Sequence, residues 1–230
     1  MVSISSTEKN CILLFVKYPE KGRVKKRLTK ELNAGFVSEL YKKFVIDLAS
    51  KIEKLKVDFK ICFYPTDSKK QFMKWLGEKQ DYIPQKGDDL GDRMKYCFNT
   101  SFNEGFGNCI LIGSDIPDIP MDFIKEAFKF LQKNDAVIGP ASDGGYYLIG
   151  FKKNSFLPEI FKGITWGSES VYQNTMNIFK KTGIKVEVLQ QWYDIDTLSD
   201  LKSLHQRNQN TEFRYSNTMS FLLKYKDIFK

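Results

Sequence analysis

The aspartates that follow apolar runs are the residues of this sequence most suited to chemistry. Asp115 comes directly after the run Cys109–Ile112 and a Gly-Ser pair, and Pro117, two residues later, does not fit the interior of a strand. Because ligands of open α/β sheets collect at the carboxyl ends of strands, we expect Asp115 to face a ligand. A carboxylate there suits a divalent cation that is held against a phosphate. The alternative is that Asp115 caps the turn that Pro117 opens.

Two further acidic motifs follow along the chain. Asp143 precedes two glycines, which is typical of a tight hairpin turn and also allows a backbone to approach a ligand closely. Asp194 and Asp196 lie on the same side of an extended segment, because side chains alternate along a strand. Either this pair binds a hard cation such as Mg²⁺, or Asp196 or Thr197 caps the following helix.

Basic residues cluster in the segment 17–28, which follows the first apolar run. A cation-lined loop that contains glycine and follows the first strand is where α/β nucleotide-binding proteins hold phosphates. The spacing is neither that of a P-loop nor G-x-G-x-x-G, so a solvated basic loop is the alternative. The segment 85–94 combines two glycines, three acids and an arginine before a helix. It indicates either an ordinary helix cap at Asp88 or Asp89, or contacts with a base or ribose.

Composition restricts the class of protein. The chain has 230 residues, 42% of them hydrophobic, which is enough for a substantial core. The net charge of +8 comes mostly from scattered lysines, as on a solvated surface, and this argues against a nucleic-acid partner. The single histidine, His205, argues against a His-based metal site or a Ser-His-Asp triad. The four cysteines lack C-x-x-C spacing, which indicates reduced core residues.

Strand-like runs alternate with helix-like runs along the chain. Cys11–Val16 is the first strand-like run, and apolar residues recur at helical spacing over residues 36–55. Such repeated units predict a single α/β domain with a mostly parallel central sheet and helices on both faces. We assign residues 1–207 to this domain and residues 208–230 to a tail, one helix that packs on the body or on a second subunit of a homodimer. With no membrane span and no signal peptide in the sequence, we expect a cytoplasmic protein.

Taken together and in this order, the motifs resemble those of one family. It is the glycosyltransferase-like family with the GT-A fold, a three-layer sandwich, which is related to the phospholactate/phosphoenolpyruvate guanylyltransferases and the molybdenum-cofactor nucleotidyltransferases. The resemblance extends from Lys17 to about Leu201. Two departures lie in the basic loop, where Lys26 replaces the Thr of the pattern and Lys21 its usual Pro. The matching segments are 17–28, 85–94, 113–117, 143–150 and 194–197.

The resemblance implies a role for each motif. The implied nucleotide-binding residues are Lys17, Gly22, Arg23, Lys25, Arg27, Gly87, Leu90, Gly91 and Arg93. The implied acceptor-binding residues are Gly144, Gly145 and Tyr146. Asp115 and Asp143 are the implied catalytic residues, and the implied ligands of Mg²⁺ or Mn²⁺ are Asp115, Asp194 and Asp196.

The activity that the resemblance implies is metal-dependent transfer of a sugar from a nucleoside diphosphate to a small acceptor. The alternative is nucleotidyl transfer from a nucleoside triphosphate to a small phosphorylated or carboxylated acceptor, because the same metal would stabilise pyrophosphate. We favour glycosyl transfer, since the Gly-rich signature of sugar nucleotidyltransferases is absent. The hypothesis from another class is a non-catalytic basic binding module. It requires clustered arginines beside stacking aromatic residues, which we do not find in the sequence.

Overall fold

The computed structural model describes residues 8–229, and a seven-stranded sheet forms its centre. The strands are β1 (Asn10–Lys17), β2 (Asp58–Tyr64), β3 (Asp81–Pro84), β4 (Asn108–Gly113), β5 (Ala136–Pro140), β6 (Tyr146–Lys152) and β7 (Val186–Val188). Their spatial order is β3-β2-β1-β4-β6-β5-β7. Strand β6 is antiparallel to both β4 and β5, and the other pairs are parallel.

Helices cover both faces of this sheet. They are α1 (Ala34–Glu53), α2 (Lys69–Leu76), α3 (Leu90–Asn103), α4 (Met121–Leu131), α5 (Val171–Thr182), α6 (Leu198–Arg207) and α7 (Asn217–Leu222), with short 3-10 helices between some of them. One apolar cluster joins the sheet to α1, α2, α4, α6 and α7, and a second joins its other face to α3 and α5. The structure confirms the predicted three-layer α/β sandwich with a mostly parallel sheet.

Helix α1 shows how local sequence sets the bounds of an element. The side chain of Asn33 accepts hydrogen bonds from the backbone N–H of Gly35 at 2.8 Å and of Phe36 at 3.4 Å, so Asn33 is the N-cap. The helix ends shortly before Lys56, whose φ of 54° is left-handed. The helix therefore begins and ends two residues earlier than the predicted range 36–55, and most residues of its buried face are the apolar ones that recur in that range.

The C-terminal tail packs on α1 of the same chain. Asp47, which is buried in α1, accepts hydrogen bonds from the backbone N–H of Asn217 at 2.9 Å and of Thr218 at 2.7 Å. The rings of Phe36 and Phe221 lie 5.2 Å apart. These contacts attach the tail to the body of its own subunit. The boundary at residue 207 and a homodimer stay predictions.

Two findings concern the cysteines and the membrane. All four cysteines, Cys11, Cys62, Cys97 and Cys109, are buried and free of disulfides, as predicted. Over residues 8–229, no helix combines the length and the apolar character that crossing a bilayer requires. The cellular compartment stays a prediction.

Candidate active site

A cavity of about 640 Å³ lies at the carboxyl ends of the parallel strands β1, β2 and β4. Loops that follow β1, β3, β4, β5 and β7 contribute to its walls. This is the edge of an α/β sheet at which ligands bind. Six cationic side chains and four carboxylates line the cavity: Lys17, Arg23, Lys25, Lys26, Arg27, Arg93, Asp115, Asp143, Asp194 and Asp196.

Lys25 connects the basic loop to the carboxylates. Its ammonium lies 2.7 Å from Asp115 Oδ1 and 2.8 Å from Asp196 Oδ1, and its side chain is only 4% exposed. Burial lowers the pKa of Lys25, but the two carboxylates outweigh it and raise this pKa above the ordinary value. Lys25 therefore carries its charge in the interior, where its hydrogen bonds go to the aspartates. Its predicted contact with a nucleotide phosphate stays a prediction.

Three carboxylates form a group beside this lysine. One oxygen from each of Asp143, Asp194 and Asp196 lies within 4.8 Å of the others. Burial raises the pKa of Asp194, and the nearby charges of Asp143 and Asp196 raise it further. Ser142 Oγ donates a hydrogen bond to Asp194 Oδ1 at 3.0 Å and fixes that carboxylate. Like charges this close are unfavourable without a compensating cation, and carboxylate oxygens are the ligands that Mg²⁺ and Mn²⁺ prefer.

Asp115 is the second carboxylate that contacts the ammonium of Lys25. Its side chain is 47% exposed at the cavity surface. The partial burial of its carboxyl raises the pKa of Asp115, and the ammonium of Lys25 lowers it. The negative charges of Asp196 and Asp143 raise this pKa further. The backbone carbonyl of Asp115 accepts a hydrogen bond from the N–H of Ile195 at 3.0 Å, which joins the loop after β4 to the loop of the later aspartates.

Helix α6 is capped by Thr197, not by Asp196. Thr197 Oγ1 accepts from the backbone N–H of Asp200 at 3.2 Å, and Asp200 Oδ2 accepts from the backbone N–H of Thr197 at 2.8 Å. This is the reciprocal capping box that the sequence predicts as one alternative. Asp196 is left to bind Lys25 and to lie 3.6 Å from Arg27 Nη1. Its side-chain contacts in the cavity are therefore ion pairs and not a helix cap.

Arg93, from the segment after β3, stacks on Tyr64, the last residue of β2, in the wall of the cavity. The guanidinium of Arg93 lies 4.1 Å from the centroid of the Tyr64 ring, and Arg93 Nε donates to the carbonyl of Gly87 at 3.2 Å. Asp89 is the N-cap of α3, since its carboxylate accepts from the N–H of Asp92 at 2.8 Å. A stacked arginine and tyrosine can both contact an aromatic base. Asp89 is therefore the helix cap of this segment, and a different residue, Arg93, lines the cavity.

Four glycines predicted for the site are required by the backbone, three of them in loops and one in helix α3. Gly22, Gly87 and Gly144 have φ angles of 74°, 137° and 87°, which other residues rarely adopt. A Cβ on Gly91 would lie 2.8 Å from the Trp166 ring, so only glycine lets α3 approach that ring. Among the described residues that line the cavity, these four do not occur, whereas Gly145 does. Their predicted contacts with a ligand stay predictions.

Aromatic side chains complete the cavity. The rings of Tyr146 and Trp166 lie 6.5 Å apart in an edge-to-face arrangement, and Tyr146 Oη donates to Met94 Sδ at 3.8 Å. Tyr41 Oη lies 2.7 Å from Ser114 Oγ. Tyr146 is one of the predicted acceptor-binding residues, whereas Tyr41 lies in the helix predicted over residues 36–55 and was not predicted for the site. The signal for Tyr41 is its hydroxyl, because a buried tyrosine needs a polar partner.

Comparison with solved structures places this architecture among known folds. The chain superposes on the 4-diphosphocytidyl-2C-methyl-D-erythritol synthase of Anaerococcus prevotii DSM 20548 with a TM-score of 0.58 and 11% identity, over 88% of this chain and 99% of the other. A cytidylyltransferase from Leptospira borgpetersenii gives a TM-score of 0.55 and 12% identity over 97% of both chains. At these identities the similarity concerns the fold alone.

Another solved structure is much more similar to this chain, and a family model also matches it. A structure from Desulfovibrio desulfuricans G20, assigned provisionally as a nucleotide-diphospho-sugar transferase, is 42% identical with a TM-score of 0.93 over 97% of each chain. The model of a family described as "uncharacterized protein conserved in bacteria" (DUF2064) matches residues 48–168. Among curated proteins there is no significant match. The chain therefore belongs to the DUF2064 family and has the α/β fold of the nucleotide-diphospho-sugar transferase-like structures.

Proposed function

We propose that this protein is a metal-dependent transferase that passes a sugar from a nucleoside-diphosphate sugar to a small-molecule acceptor. The observation that carries the proposal is that six cationic side chains meet four aspartates in one cavity at the carboxyl edge of the sheet. A diphosphate needs cations, and a departing nucleoside diphosphate needs further charge compensation. The provisional name of the relative from D. desulfuricans supports the same class of donor.

The charges at the centre of the cavity favour one divalent cation. Asp115, Asp143, Asp194 and Asp196 bring four negative charges, and the ion pairs to Lys25 and Arg27 compensate two of them. The grouped carboxylate oxygens of Asp143, Asp194 and Asp196 would hold Mg²⁺ or Mn²⁺. This proposed ligand set adds Asp143 to the two later aspartates of the sequence prediction, and leaves Asp115 joined to them through Lys25.

The chain's own residues divide the remaining tasks. The side chains of Arg23 and Arg27 are 70% and 58% exposed, so each guanidinium fork is accessible to phosphate oxygens. Arg93, above the Tyr64 ring, would contact the base. Asp115, whose side chain is 47% exposed at the cavity surface, would orient an acceptor hydroxyl and accept its proton. A bound divalent cation would supply charge neutralisation of the leaving diphosphate.

Nucleotidyl transfer from a nucleoside triphosphate is the second candidate. The observation in its favour is that four of the six cationic side chains are not paired with the aspartates of the cavity, and a triphosphate offers them more negative charge than a diphosphate does. The two reactions differ in what leaves, which is a nucleoside diphosphate in one case and pyrophosphate in the other. Phosphorus NMR of the products, with each class of donor and a mixed pool of acceptors, would separate them.

The test of the proposal is thermal unfolding with a panel of nucleoside-diphosphate sugars and nucleoside triphosphates, with Mn²⁺ or with EDTA. A ligand at 100 times its Kd should stabilise the folded protein by about 2.7 kcal/mol. We expect a nucleotide to add this stabilisation in the presence of Mn²⁺, beyond what Mn²⁺ gives alone, and not in EDTA. Equal stabilisation in EDTA would remove the metal from the proposal. Stabilisation by RNA alone, with a steep dependence on salt, would favour the binding-module hypothesis.

A further inference from the structure

Asp118 is a buried aspartate that lies outside the cavity, and its side chain is only 2% exposed. Its carboxylate accepts four hydrogen bonds. Arg207 donates two of them, from Nε at 2.7 Å and from Nη2 at 3.0 Å, and Asn208 Nδ2 donates at 2.8 Å. Trp192 Nε1 donates the fourth at 3.3 Å. A carboxylate with this many partners is fixed in place, because each lone pair is used.

The partners of Asp118 bracket the segment that carries two of the candidate metal ligands. Trp192 precedes Asp194 by two residues, and Arg207 and Asn208 end helix α6, which begins just after Asp196. Asp118 itself lies three positions after Asp115, in the same loop. The four hydrogen bonds therefore attach both ends of the segment 192–208 to the loop that carries Asp115.

A backbone contact completes this connection. The N–H of Ile195, between the two later aspartates, donates to the carbonyl of Asp115 at 3.0 Å, and the Ile195 side chain is fully buried. The loop after β4 and the segment after β7 are thus joined at the cavity and again behind it. Displacement of either loop would change the spacing between Asp115 and Asp196, which Lys25 spans with contacts of 2.7 and 2.8 Å.

We infer that Asp118 is a positioning residue of the candidate active site, which sets the spacing of the catalytic and metal-binding aspartates without touching a ligand. It acts through Trp192, Arg207 and Asn208 on Asp194 and Asp196. Residues that orient metal ligands from behind usually affect metal affinity by roughly 10-fold to 100-fold when they are changed. The metal part of this inference rests on the proposed function, whereas the positioning part does not.

Asp47 offers a matched control within the same chain. It is also a buried aspartate, and it also accepts hydrogen bonds from the C-terminal part of the chain, at Asn217 and Thr218. Its partners belong to the tail and not to the aspartate-bearing segment. Asp47→Asn therefore reproduces the loss of a buried charge without disturbing the connection behind the cavity.

The experiment compares Asp118→Asn with Asp47→Asn by hydrogen exchange of the metal-free proteins and by titration with Mn²⁺ alone. We expect both variants to unfold at lower temperature. Only Asp118→Asn should accelerate exchange in peptides that contain the Ile195 amide, and only it should weaken Mn²⁺ binding, by roughly 10-fold to 100-fold. Asp47→Asn should accelerate exchange around residues 217–222 instead.

Each outcome decides a separate point. Unchanged exchange at Ile195 in Asp118→Asn, or the same increase in Asp47→Asn, would overturn the positioning role. If the wild-type protein does not bind Mn²⁺, the proposed metal site fails while hydrogen exchange still tests Asp118. Arg207→Lys keeps the charge but loses the two-pronged contact. If Asp118→Asn does not fold, this milder variant should show the same pattern at Ile195, and wild-type exchange there would count against the inference.

Discussion

The cationic and the acidic walls of the cavity are built in different ways. Most of the cations come from one continuous loop, residues 17–27, and two of them, Arg23 and Arg27, have largely exposed side chains. The aspartates come from three segments far apart in sequence, and the hydrogen bonds of Ile195 and Asp118 join two of these segments. Under the proposed function, the exposed arginines would adapt to a flexible diphosphate, and the joined acidic segments would hold metal ligands at a fixed spacing.

Lys25 is the point at which the two walls meet. It belongs to the basic loop by sequence, but its buried ammonium lies between Asp115 and Asp196. Its neighbour Lys26 lines the same cavity and is exposed. These adjacent lysines therefore differ in their surroundings, since Lys25 is a buried counter-ion of two aspartates and Lys26 is a solvated charge. Substitution of each lysine in turn tests whether the two walls differ as described.

The largest effect should come from Lys25→Met. Removal of one partner from a buried ion pair costs about 3–5 kcal/mol, and we expect the lower end, about 3 kcal/mol, because both aspartates are partly exposed. The free energy of unfolding from urea denaturation measures this loss. Lys26→Met is the control and should change stability by less than about 0.5 kcal/mol. Equal losses in the two variants would mean that Lys25 is not the joint between the walls.

Arg23→Ala and Arg27→Ala test whether the cationic wall binds phosphate. Each lost charge-assisted hydrogen bond should weaken binding of nucleoside di- and triphosphates by about 1.5–3 kcal/mol and leave the bare nucleoside unaffected. Isothermal titration with the three ligands provides the comparison. Arg214→Ala serves as the control, since this exposed arginine stacks on Tyr215 and does not line the cavity. A similar loss for the nucleoside would contradict the assignment of this loop to phosphate.

Asp143→Asn tests the acidic wall without disturbing its turn. Asp143 Oδ1 accepts a hydrogen bond from the N–H of Gly145 at 2.8 Å, and an asparagine oxygen can accept the same bond. We expect Mn²⁺ affinity to fall about tenfold, equivalent to about 1.4 kcal/mol. The metal-free protein should unfold at the same or a slightly higher temperature, because a like charge beside Asp194 is removed. Asp89→Asn, at the cap of α3, should leave Mn²⁺ affinity unchanged. Wild-type affinity in Asp143→Asn would exclude this aspartate from the metal site.

Local patterns in the sequence predicted much of the fold. Strand β4, Asn108–Gly113, extends the apolar run Cys109–Ile112 by one residue at each end, and the Asp-Gly-Gly turn joins the antiparallel strands β5 and β6. The position of β6 between β4 and β5 could not be predicted, because it depends on how separate units pack and not on any one segment. The bounds of α1 differ from the predicted range because the cap at Asn33 and the left-handed residue Lys56 set them, and apolar spacing does not show either feature.

The charged residues predicted for the site line one cavity, whereas four of the predicted glycines do not, and the contacts among these residues could not be predicted. Basic and acidic motifs each have a local signature, and both were found to line one cavity. The ion pair between Lys25 and Asp196 joins residues 171 positions apart, and the contact between Asp118 and Arg207 spans 89 positions. Such pairings arise only after the sheet has brought the loops together. Neither residue type nor spacing distinguishes Asp118 from an ordinary surface aspartate.

The smallest predicted effect concerns the charge of Asp194 in the metal-free protein. Burial, together with Asp143 and Asp196, raises its pKa above the ordinary value of 3.8. An acid whose pKa is higher in the folded state than in the unfolded state binds protons more tightly when folded. Its contribution to stability therefore falls as pH rises from about 3.8 through the raised pKa. At neutral pH without metal, the ionised Asp194 should destabilise the fold.

Asp194→Asn should then stabilise the metal-free protein at neutral pH, by about 0.2–1 kcal/mol, the range for partly exposed charge pairs. The asparagine oxygen can still accept the hydrogen bond from Ser142, so the change mainly removes a charge. Urea unfolding in EDTA at several pH values should show this advantage vanish as pH falls toward 3.8. With saturating Mn²⁺ the order should reverse, because the wild-type carboxylate then gains a cation. If Asp194→Asn were still more stable than the wild type in saturating Mn²⁺, Asp194 would not be a metal ligand, and the grouping of the three aspartates would need another explanation.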